Sequence, residues 1–283
     1  MSKEKVTLRG KWLGQRLRAL RTENDMTLDD VAEYLQRNPG TVSRFESGEY
    51  PIRRADVLAL LDLYGVADRR HRDGLVRLSE SLWQKGWWDG YSGDVTGSFI
   101  DYVWVESQAT ELRFFENTLV PGLLQTPEYA ETWIRAADDH EDSALVARLR
   151  DLRMKRQEIL RTDEPVRLRV VLDEAVLHRR VGDETVHTGQ LRHLAKMSKQ
   201  ANISLRVLPF EVGAHASPTG TFKICLLDDP YPDVAYLETP KGAIYLESPD
   251  TRPIVQIYDR LWAAAANERD SLRMIAALIE DRE

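Results

Sequence analysis

Residues 26–51, MTLDDVAEYLQRNPGTVSRFESGEYP, predict two short helices joined by a tight turn. Thr27 and Asn38 are each suited to cap a helix, because a short polar side chain accepts a hydrogen bond from a free backbone N–H of the first turn. Asp30, three residues after Thr27, favours a capping box. Apolar residues recur at helical spacing through both segments, at Leu28, Val31, Ala32, Leu35, Val42 and Phe45.

The outward face of the second of these helices carries polar side chains. Pro39 suits its first turn, and Gly48 suits its end. Thr41, Ser43 and Arg44 alternate with the apolar positions, so we expect them to point away from the first helix. A helix end that presents hydrogen-bonding side chains fits the major groove of DNA. The segment is therefore predicted to be a helix-turn-helix.

The segment resembles the helix-turn-helix of the Cro/C1-type (Xre) family of transcriptional regulators. VAEYL at 31–35 and TVSRFESG at 41–48 match the pattern of that family. LRALR at 17–21 matches its first helix, so the resemblance covers about residues 10–66.

The resemblance also implies a structural ion pair. In this family an arginine at the position of Arg21 pairs with a glutamate at the position of Glu46. A buried pair of this kind fixes the angle between the first and third helices, and it need not add net stability.

Seven residues are candidates for contact with DNA. Neither Pro39 nor Gly40, in the first turn of the second helix, has a side chain that forms hydrogen bonds, so base contacts fall to their neighbours. Arg44 is the best candidate for a guanine edge, which an arginine recognises with two parallel hydrogen bonds. Arginines outside that helix suit phosphates, which set affinity and salt dependence; the alternative for them is an ordinary solvated surface. Base contacts are assigned to Asn38, Thr41, Ser43 and Arg44, and phosphate contacts to Arg37, Arg53 and Arg54.

Charge divides the chain unevenly. Residues 1–72 carry 14 Lys and Arg against 11 Asp and Glu, a net of +3, while the remainder carries 25 against 35, a net of −10. The overall net charge of −7 excludes a protein that binds nucleic acid over its whole surface. We therefore expect DNA contact on one face only, with two DNA-binding domains acting together in a homodimer.

Three segments are predicted along the chain. A helix-turn-helix head at 8–66 is followed by a helical, aromatic-rich linker at 67–103 and by an α+β body at 104–283. A glycine-rich stretch at 86–97 favours a loop at the domain boundary. Four tryptophans near the linker are interpreted as a small secondary core that joins the domains, with a partner surface as the alternative: Trp83, Trp87, Trp88 and Trp104.

The body is predicted to combine helices with short strands. Residues 105–117 and 143–161 are expected to be helical, and the arginines of 143–161 are expected to lie on a solvated exterior. Alternating apolar residues at 166–172 indicate the first strand. Further strands are expected at 203–208, 222–227, 234–237 and 243–246, and helices at 189–200, 251–267 and 269–281. Helices that flank short strands favour an α+β fold with a mostly antiparallel sheet.

The body resembles that of actinobacterial Xre-type regulators, which include WhiJ-type and antitoxin-like regulators. The resemblance covers roughly residues 80–280 and implies family membership without explaining what the body binds. It is carried by VPGLLQTPEYA at 120–130, VVLDEAVLHRRVG at 170–182, QLRHLAKMSKQANISLRVLP at 190–209 and GTFKICLLD at 220–228.

These features predict a sequence-specific transcriptional regulator that binds a double-stranded DNA operator. The body is expected to sense a partner protein or a ligand. The alternative is an antitoxin-like protein, whose body neutralises a small partner protein encoded nearby while the head regulates its own gene.

No catalytic, cofactor or metal site is expected, and the protein is not expected to be an enzyme. Glu174 and His178 would share a face if residues 173–178 were helical, and His187 and His215 lie further on. An acid–base pair also needs a third partner and a pocket, so enzyme activity in the body is the least favoured alternative. Cys225, in an apolar run, is expected to be a buried structural thiol.

The expected location is the cytoplasm, with association with the nucleoid when DNA is bound. The chain has no N-terminal apolar segment of the signal-peptide type and no apolar run long enough to cross a membrane. We therefore expect no membrane partner.

Overall fold

A computed structural model describes residues 6–138, 142–239 and 241–282 of the chain. It divides the chain into two compact units, the first extending to Ser92 and including Asp228–Tyr231, and the second formed by the rest. Every helix in the described ranges is too short or too polar to span a lipid bilayer.

The regular elements of the first unit are all helices in its described residues. Thr27 and Asp30 form the predicted capping box, and the side chain of Asn38 accepts a hydrogen bond from the backbone N–H of Thr41, so both predicted caps are confirmed. A short 3-10 helix follows the last helix at Trp87–Tyr91. The helices are α1 (Leu8–Glu23), α2 (Leu28–Leu35), α3 (Pro39–Glu46), α4 (Arg54–Leu63) and α5 (Arg69–Ser81).

Helices α1 and α3 approach each other closely at one glycine. A Cβ atom added to Gly14 of α1 would lie 2.5 Å from the backbone oxygens of Phe45 and Glu46 in α3, so only glycine allows this contact. Gly48, just beyond α3, has a φ of +74°, the left-handed conformation predicted for the end of this helix. The core combines buried side chains of all five helices: Leu13, Leu17, Val31, Val42, Leu61 and Leu75.

The second unit is an α+β domain. Its helices are α6 (Gly97–Gln108), α7 (Pro127–Asp138), α8 (Ser143–Arg156), α9 (Glu174–His178), α10 (Glu184–Met197), α11 (Arg252–Ala264) and α12 (Glu268–Glu280). Its strands are β1 (Ala109–Glu116), β2 (Arg167–Asp173), β3 (Ile203–Leu208), β4 (Phe222–Leu227), β5 (Val234–Thr239) and β6 (Gly242–Glu247).

The six strands form one mixed sheet in the order β3-β2-β1-β4-β5-β6. β2 pairs in parallel with both β1 and β3, whereas the pairs β1–β4, β4–β5 and β5–β6 are antiparallel. Antiparallel pairs are therefore in the majority among the described strands. The α+β class predicted from the sequence is confirmed.

The predicted helix at 105–117 is correct only for residues 105–108, which end α6, and is wrong beyond them, because residues 109–116 form the strand β1. Phe115 belongs to a buried cluster with Tyr258 of α11 on one face of the sheet. Phe114 is equally buried on the opposite face, where α6 contacts the sheet. Since both faces of β1 are covered, its apolar residues do not alternate with polar ones, and their spacing imitates that of a helix.

The prediction of a solvated arginine face on the helix at 143–161 is wrong for its C-terminal turn. Arg156 of α8 is buried and donates hydrogen bonds of 2.7 Å to both carboxylate oxygens of Glu106 in α6. The Tyr102 hydroxyl donates a further hydrogen bond to Glu106. A long arginine can therefore belong to the interior when a carboxylate compensates its charge.

Two further predictions concern the boundary and the cysteine. The compact units divide between Ser92 and Gly93, inside the glycine-rich stretch 86–97 for which a boundary loop is predicted, whereas the start predicted for the body at residue 104 lies inside α6. Cys225 is buried, as predicted, and burial raises the pKa of its thiol, which disfavours the reactive thiolate.

Candidate nucleic-acid interface

Helix α3 presents a polar surface because its two apolar side chains face the interior. Val42 and Phe45 are buried. Ser43 is exposed, and Thr41 and Arg44 are half-buried. The structure therefore brings the predicted base-contacting residues of α3 together on the outward side of one short helix.

Asn38 and Thr41 are already joined by the cap of α3. The Asn38 Oδ1 atom accepts hydrogen bonds from the backbone N–H of Thr41, at 2.8 Å, and from the Thr41 hydroxyl, at 3.1 Å. Because capping occupies the amide oxygen, a contact from Asn38 to DNA would use its amide nitrogen as a donor.

Arg44 curls over the surface of its own helix. Its Nε atom donates a hydrogen bond of 3.1 Å to the Gly40 carbonyl, and its Nη1 atom donates one of 3.1 Å to the Tyr50 hydroxyl. Its guanidinium carbon lies 4.4 Å from the centre of the Tyr50 ring. Tyr50 is not among the predicted DNA-contacting residues, although an aromatic residue shortly after the helix end and before Pro51 is a visible signal in the sequence.

A shallow depression of about 550 Å³ borders α3. Asn38 and Thr41, predicted to contact bases, share its wall with Arg37 and Arg53, predicted to contact phosphates, and with Tyr50. Both kinds of candidate residue therefore lie on one continuous surface. This is the arrangement that a DNA groove and its flanking phosphates require.

The predicted phosphate-binding arginines differ in their surroundings. Arg37 lies 3.6 Å from Asp56. Arg54 lies 2.9 Å from Glu80 in an exposed ion pair and is not part of the wall of the depression. Arg53 precedes α4 and is exposed. Arg54 is the weakest of the three candidates, because its carboxylate partner is closer than that of Arg37 and because it lies outside the depression.

Arg21 and Glu46 connect α1 to α3. The Nε and Nη2 atoms of Arg21 donate hydrogen bonds of 2.6 and 3.0 Å to the two carboxylate oxygens of Glu46. A third hydrogen bond, of 2.7 Å, runs from Nη1 to the Met26 carbonyl. Both side chains are largely buried, and the hydrogen bond with Glu46 raises the pKa of Arg21. The pair therefore joins α1 to α3 directly, as the family resemblance implies.

Acidic and histidine side chains in the second unit meet in two places. His178 lies 3.4 Å from Glu174 within α9, and His215 lies 3.8 Å from Asp173. Glu174 also accepts a hydrogen bond of 2.7 Å from the backbone N–H of Phe210. Within residues 6–138, 142–239 and 241–282, no group of three or more His, Cys, Asp or Glu side chains is arranged to hold a metal ion.

Comparison with known families agrees with this geometry. Residues 12–75 match the family model described as Helix-turn-helix domain, which supports a DNA-binding regulator of transcription. Residues 99–277 match the model described as Domain of unknown function (DUF5753). No curated protein sequence matches the chain. Because the second match covers more than half of its residues, the chain belongs to the family described as Domain of unknown function (DUF5753).

Proposed function

We propose that this protein is a sequence-specific transcriptional regulator that binds its operator as a homodimer through α3. We propose further that its second unit responds to a partner protein or a ligand. The outward surface of α3 carries the proposal: Thr41, Ser43 and Arg44 face away from a core that Val42 and Phe45 anchor. The caps of the helix and the Arg21–Glu46 pair hold that surface in place.

The family assignment within helix-turn-helix regulators is part of this proposal. The first unit is assigned to the Cro/C1-type (Xre) regulators and the second to the WhiJ-type body, on the sequence resemblances described above. The Arg21–Glu46 contact and the close approach at Gly14 support the first assignment, because both fix α1 against α3.

We propose a dimer because the surface of α3 that would contact bases is small. Helix α3 has eight residues, and a helix of that length spans only about 12 Å. Such a helix contacts a few base pairs, too few to identify an operator by itself. Two copies with their recognition helices about 34 Å apart would contact successive major grooves on one face of the DNA. Operator binding would place the dimer on the nucleoid.

Regulation by the second unit requires a difference in affinity. An effector changes operator occupancy only if it binds the DNA-competent and DNA-incompetent states of the protein unequally. The acidic character of the residues after 72, with a net charge of −10, supports a role other than contact with DNA phosphates.

Selection of fragments from genomic DNA by the full-length protein tests the proposal. We expect enrichment of one inverted repeat whose half-sites are about one helical turn, roughly 10 base pairs, apart. Arg44→Ala should lose this enrichment, while Arg69→Ala, which removes an exposed arginine of α5, should retain it. Absence of any enriched motif with the unmodified protein would overturn the proposal.

The purified full-length protein also distinguishes the antitoxin-like alternative from the proposed regulator. Co-purification of a small protein encoded beside this chain, together with relief of that protein's toxicity by Arg44→Ala, would favour neutralisation of a partner as the main function. Relief by a variant that cannot bind the operator would separate neutralisation from DNA binding.

A further inference from the structure

The second unit contains a cavity of about 490 Å³ that the proposed DNA contacts do not use. Its wall is formed by the loop at 93–96 and by parts of α6, α7, α8 and β5. Sites for small organic molecules typically have volumes of about 300 to 1,000 Å³. The cavity is therefore large enough for one such molecule.

Apolar groups form about half of the cavity wall. Ile134 of α7 and Leu152 of α8 are buried beneath the surface of the cavity, and three half-buried side chains complete the apolar lining: Phe99, Trp133 and Leu149. An apolar group placed between α7 and α8 would remove these side chains from water, which is the main source of favourable binding free energy for organic ligands.

Arg153 brings a positive charge to this apolar wall. Its Nη1 atom donates a hydrogen bond of 2.9 Å to Gln125, and among the described residues no carboxylate oxygen lies within 4.0 Å of the guanidinium. Burial lowers the pKa of Arg153 to about 10, so the group stays cationic at neutral pH. A guanidinium has five N–H donors, and most of those of Arg153 are free for an anionic acceptor.

Arg156 lies one turn further along α8, and a carboxylate compensates its charge. It donates two hydrogen bonds of 2.7 Å to Glu106 and lies over the rings of Phe99 and Tyr102. Arg153 is half-buried and has no carboxylate in contact with its guanidinium. Glu238 and Glu116 act on its charge only from beyond contact distance. Since a partly desolvated cation without a carboxylate in contact is costly, an anion that enters the cavity would compensate a charge already present there.

Two carboxylates in the wall limit the charge of that anion. Asp94 is paired with Arg148 at 2.6 Å and adds little free negative charge. Glu238 of β5 is exposed and faces the same cavity as Arg153. Its negative charge would repel a ligand with two or more negative charges, such as a phosphate ester. The site therefore favours a single negative charge.

We infer that this cavity binds a singly charged organic anion with an apolar aromatic or branched body. The anionic group contacts Arg153, and the body lies between α7 and α8 against Trp133 and Leu149. That this ligand is the effector of the regulator rests on the proposed function; that the cavity binds it does not.

A pair of fluorescent probes tests the assignment with the full-length protein. 8-Anilino-1-naphthalenesulfonate has an aromatic body and one negative charge, and N-phenyl-1-naphthylamine is the same body without the charge. We expect saturable binding of both probes. Arg153→Met should weaken the affinity for the sulfonate about tenfold or more and that for the neutral probe less than about twofold, because only the sulfonate loses a charge-assisted hydrogen bond.

Three further variants separate the site from the rest of the surface. Arg135→Met removes an exposed arginine of α7 that pairs with Glu131, and it should change the affinity for neither probe. Glu238→Gln should tighten binding of the sulfonate alone. Leu149→Trp should fill the cavity and weaken binding of both probes, with an unchanged far-ultraviolet circular dichroism spectrum and an unchanged unfolding midpoint showing that the fold is kept. Equal effects of Arg153→Met and Arg135→Met, or full binding by a folded Leu149→Trp variant, would overturn the inference.

The final measurement is operator affinity with and without saturating 8-anilino-1-naphthalenesulfonate. A change that disappears in Arg153→Met supports the effector role, and an unchanged affinity overturns that role. Loss of probe specificity with operator binding intact overturns only the cavity assignment. Failure to bind any operator, with the probe results as expected, overturns only the proposed DNA function.

Discussion

Arg44, the best candidate for reading a base, lies against Tyr50, with its guanidinium carbon 4.4 Å from the centre of the ring. The Tyr50 hydroxyl accepts one of its hydrogen bonds and the Gly40 carbonyl another. Release from an exposed ring costs about 0.5–1 kcal/mol, and a bidentate contact with guanine contributes about 1–3 kcal/mol of discrimination. The contact of Arg44 with guanine is therefore the more favourable one. Tyr50 holds the Arg44 side chain in the free protein and does not prevent it from contacting a guanine.

Substitution of Arg44 therefore separates affinity from specificity. Arg44→Ala should weaken operator binding by about 1–3 kcal/mol, because the guanine contact is lost. Arg44→Lys should keep much of the affinity for random DNA and lose the preference for the operator, since a lysine cannot form two parallel hydrogen bonds. Titrations of operator and scrambled duplexes, at one fixed salt concentration, measure both effects. Equal operator affinity for Arg44→Ala and the unmodified protein would exclude Arg44 from the interface.

The single variant Arg21→Met should destabilise the first unit by about 3 kcal/mol, since Glu46 would remain buried without a partner. The double variant Arg21→Met/Glu46→Leu should recover most of that loss, because it buries no uncompensated charge. Urea unfolding of the three proteins, followed by circular dichroism, gives the comparison. A single variant as stable as the unmodified protein would show that the pair has no structural role.

Gly14→Ala should destabilise the same unit by about 1–3 kcal/mol, because the added methyl group would overlap the Phe45 and Glu46 carbonyl oxygens of α3. Gly189→Ala is the matched control: Gly189 lies within helix α10 with open space around its Cβ position. That change should be neutral or should stabilise the protein by up to about 1 kcal/mol through helix propensity. Thermal unfolding should show a lower midpoint for Gly14→Ala and an unchanged or higher one for Gly189→Ala. A Gly14→Ala variant as stable as the unmodified protein would contradict this account of Gly14.

The elements predicted correctly are those whose signals are local. Thr27 and Asn38 act within three residues of themselves, and Gly48 ends its helix through its own backbone. The hairpin strands β4 to β6 also lie near their predicted ranges, because turns separate them along the chain. In contrast, the helix expected at 105–117 was wrong beyond residue 108 because β1 is buried on both faces, a property that depends on which distant segments cover it.

The features that the sequence does not predict arise where segments far apart in the chain pack against each other. The parallel pairing of β1 with β2 joins residues more than fifty positions apart. The contact of Gly14 with α3 has no signature in the local sequence, and the cavity beside Arg153 requires helices and a strand that only the fold brings together. Tyr50 differs from these features, because it lies only six residues after Arg44 and the contact between the two is local.

Glu116, at the end of β1, should make the stability of the second unit depend on pH. Burial raises the pKa of this carboxyl to about 7, while Lys223 and a hydrogen bond from Thr221 act in the opposite direction. The ordinary pKa of a glutamate is 4.5, so between pH 4.5 and about pH 7 Glu116 is protonated in the folded chain and ionised in the unfolded chain. Its contribution to the free energy of unfolding should therefore fall by about 3 kcal/mol as the pH rises through that window, and then level off.

Glu116→Gln stays neutral and should remove this part of the pH dependence, whereas Glu128→Gln, at an exposed position, should retain it. Urea unfolding of the three proteins between about pH 5 and about pH 8 measures the difference, and parallel curves for Glu116→Gln and the unmodified protein would show that Glu116 is ionised throughout.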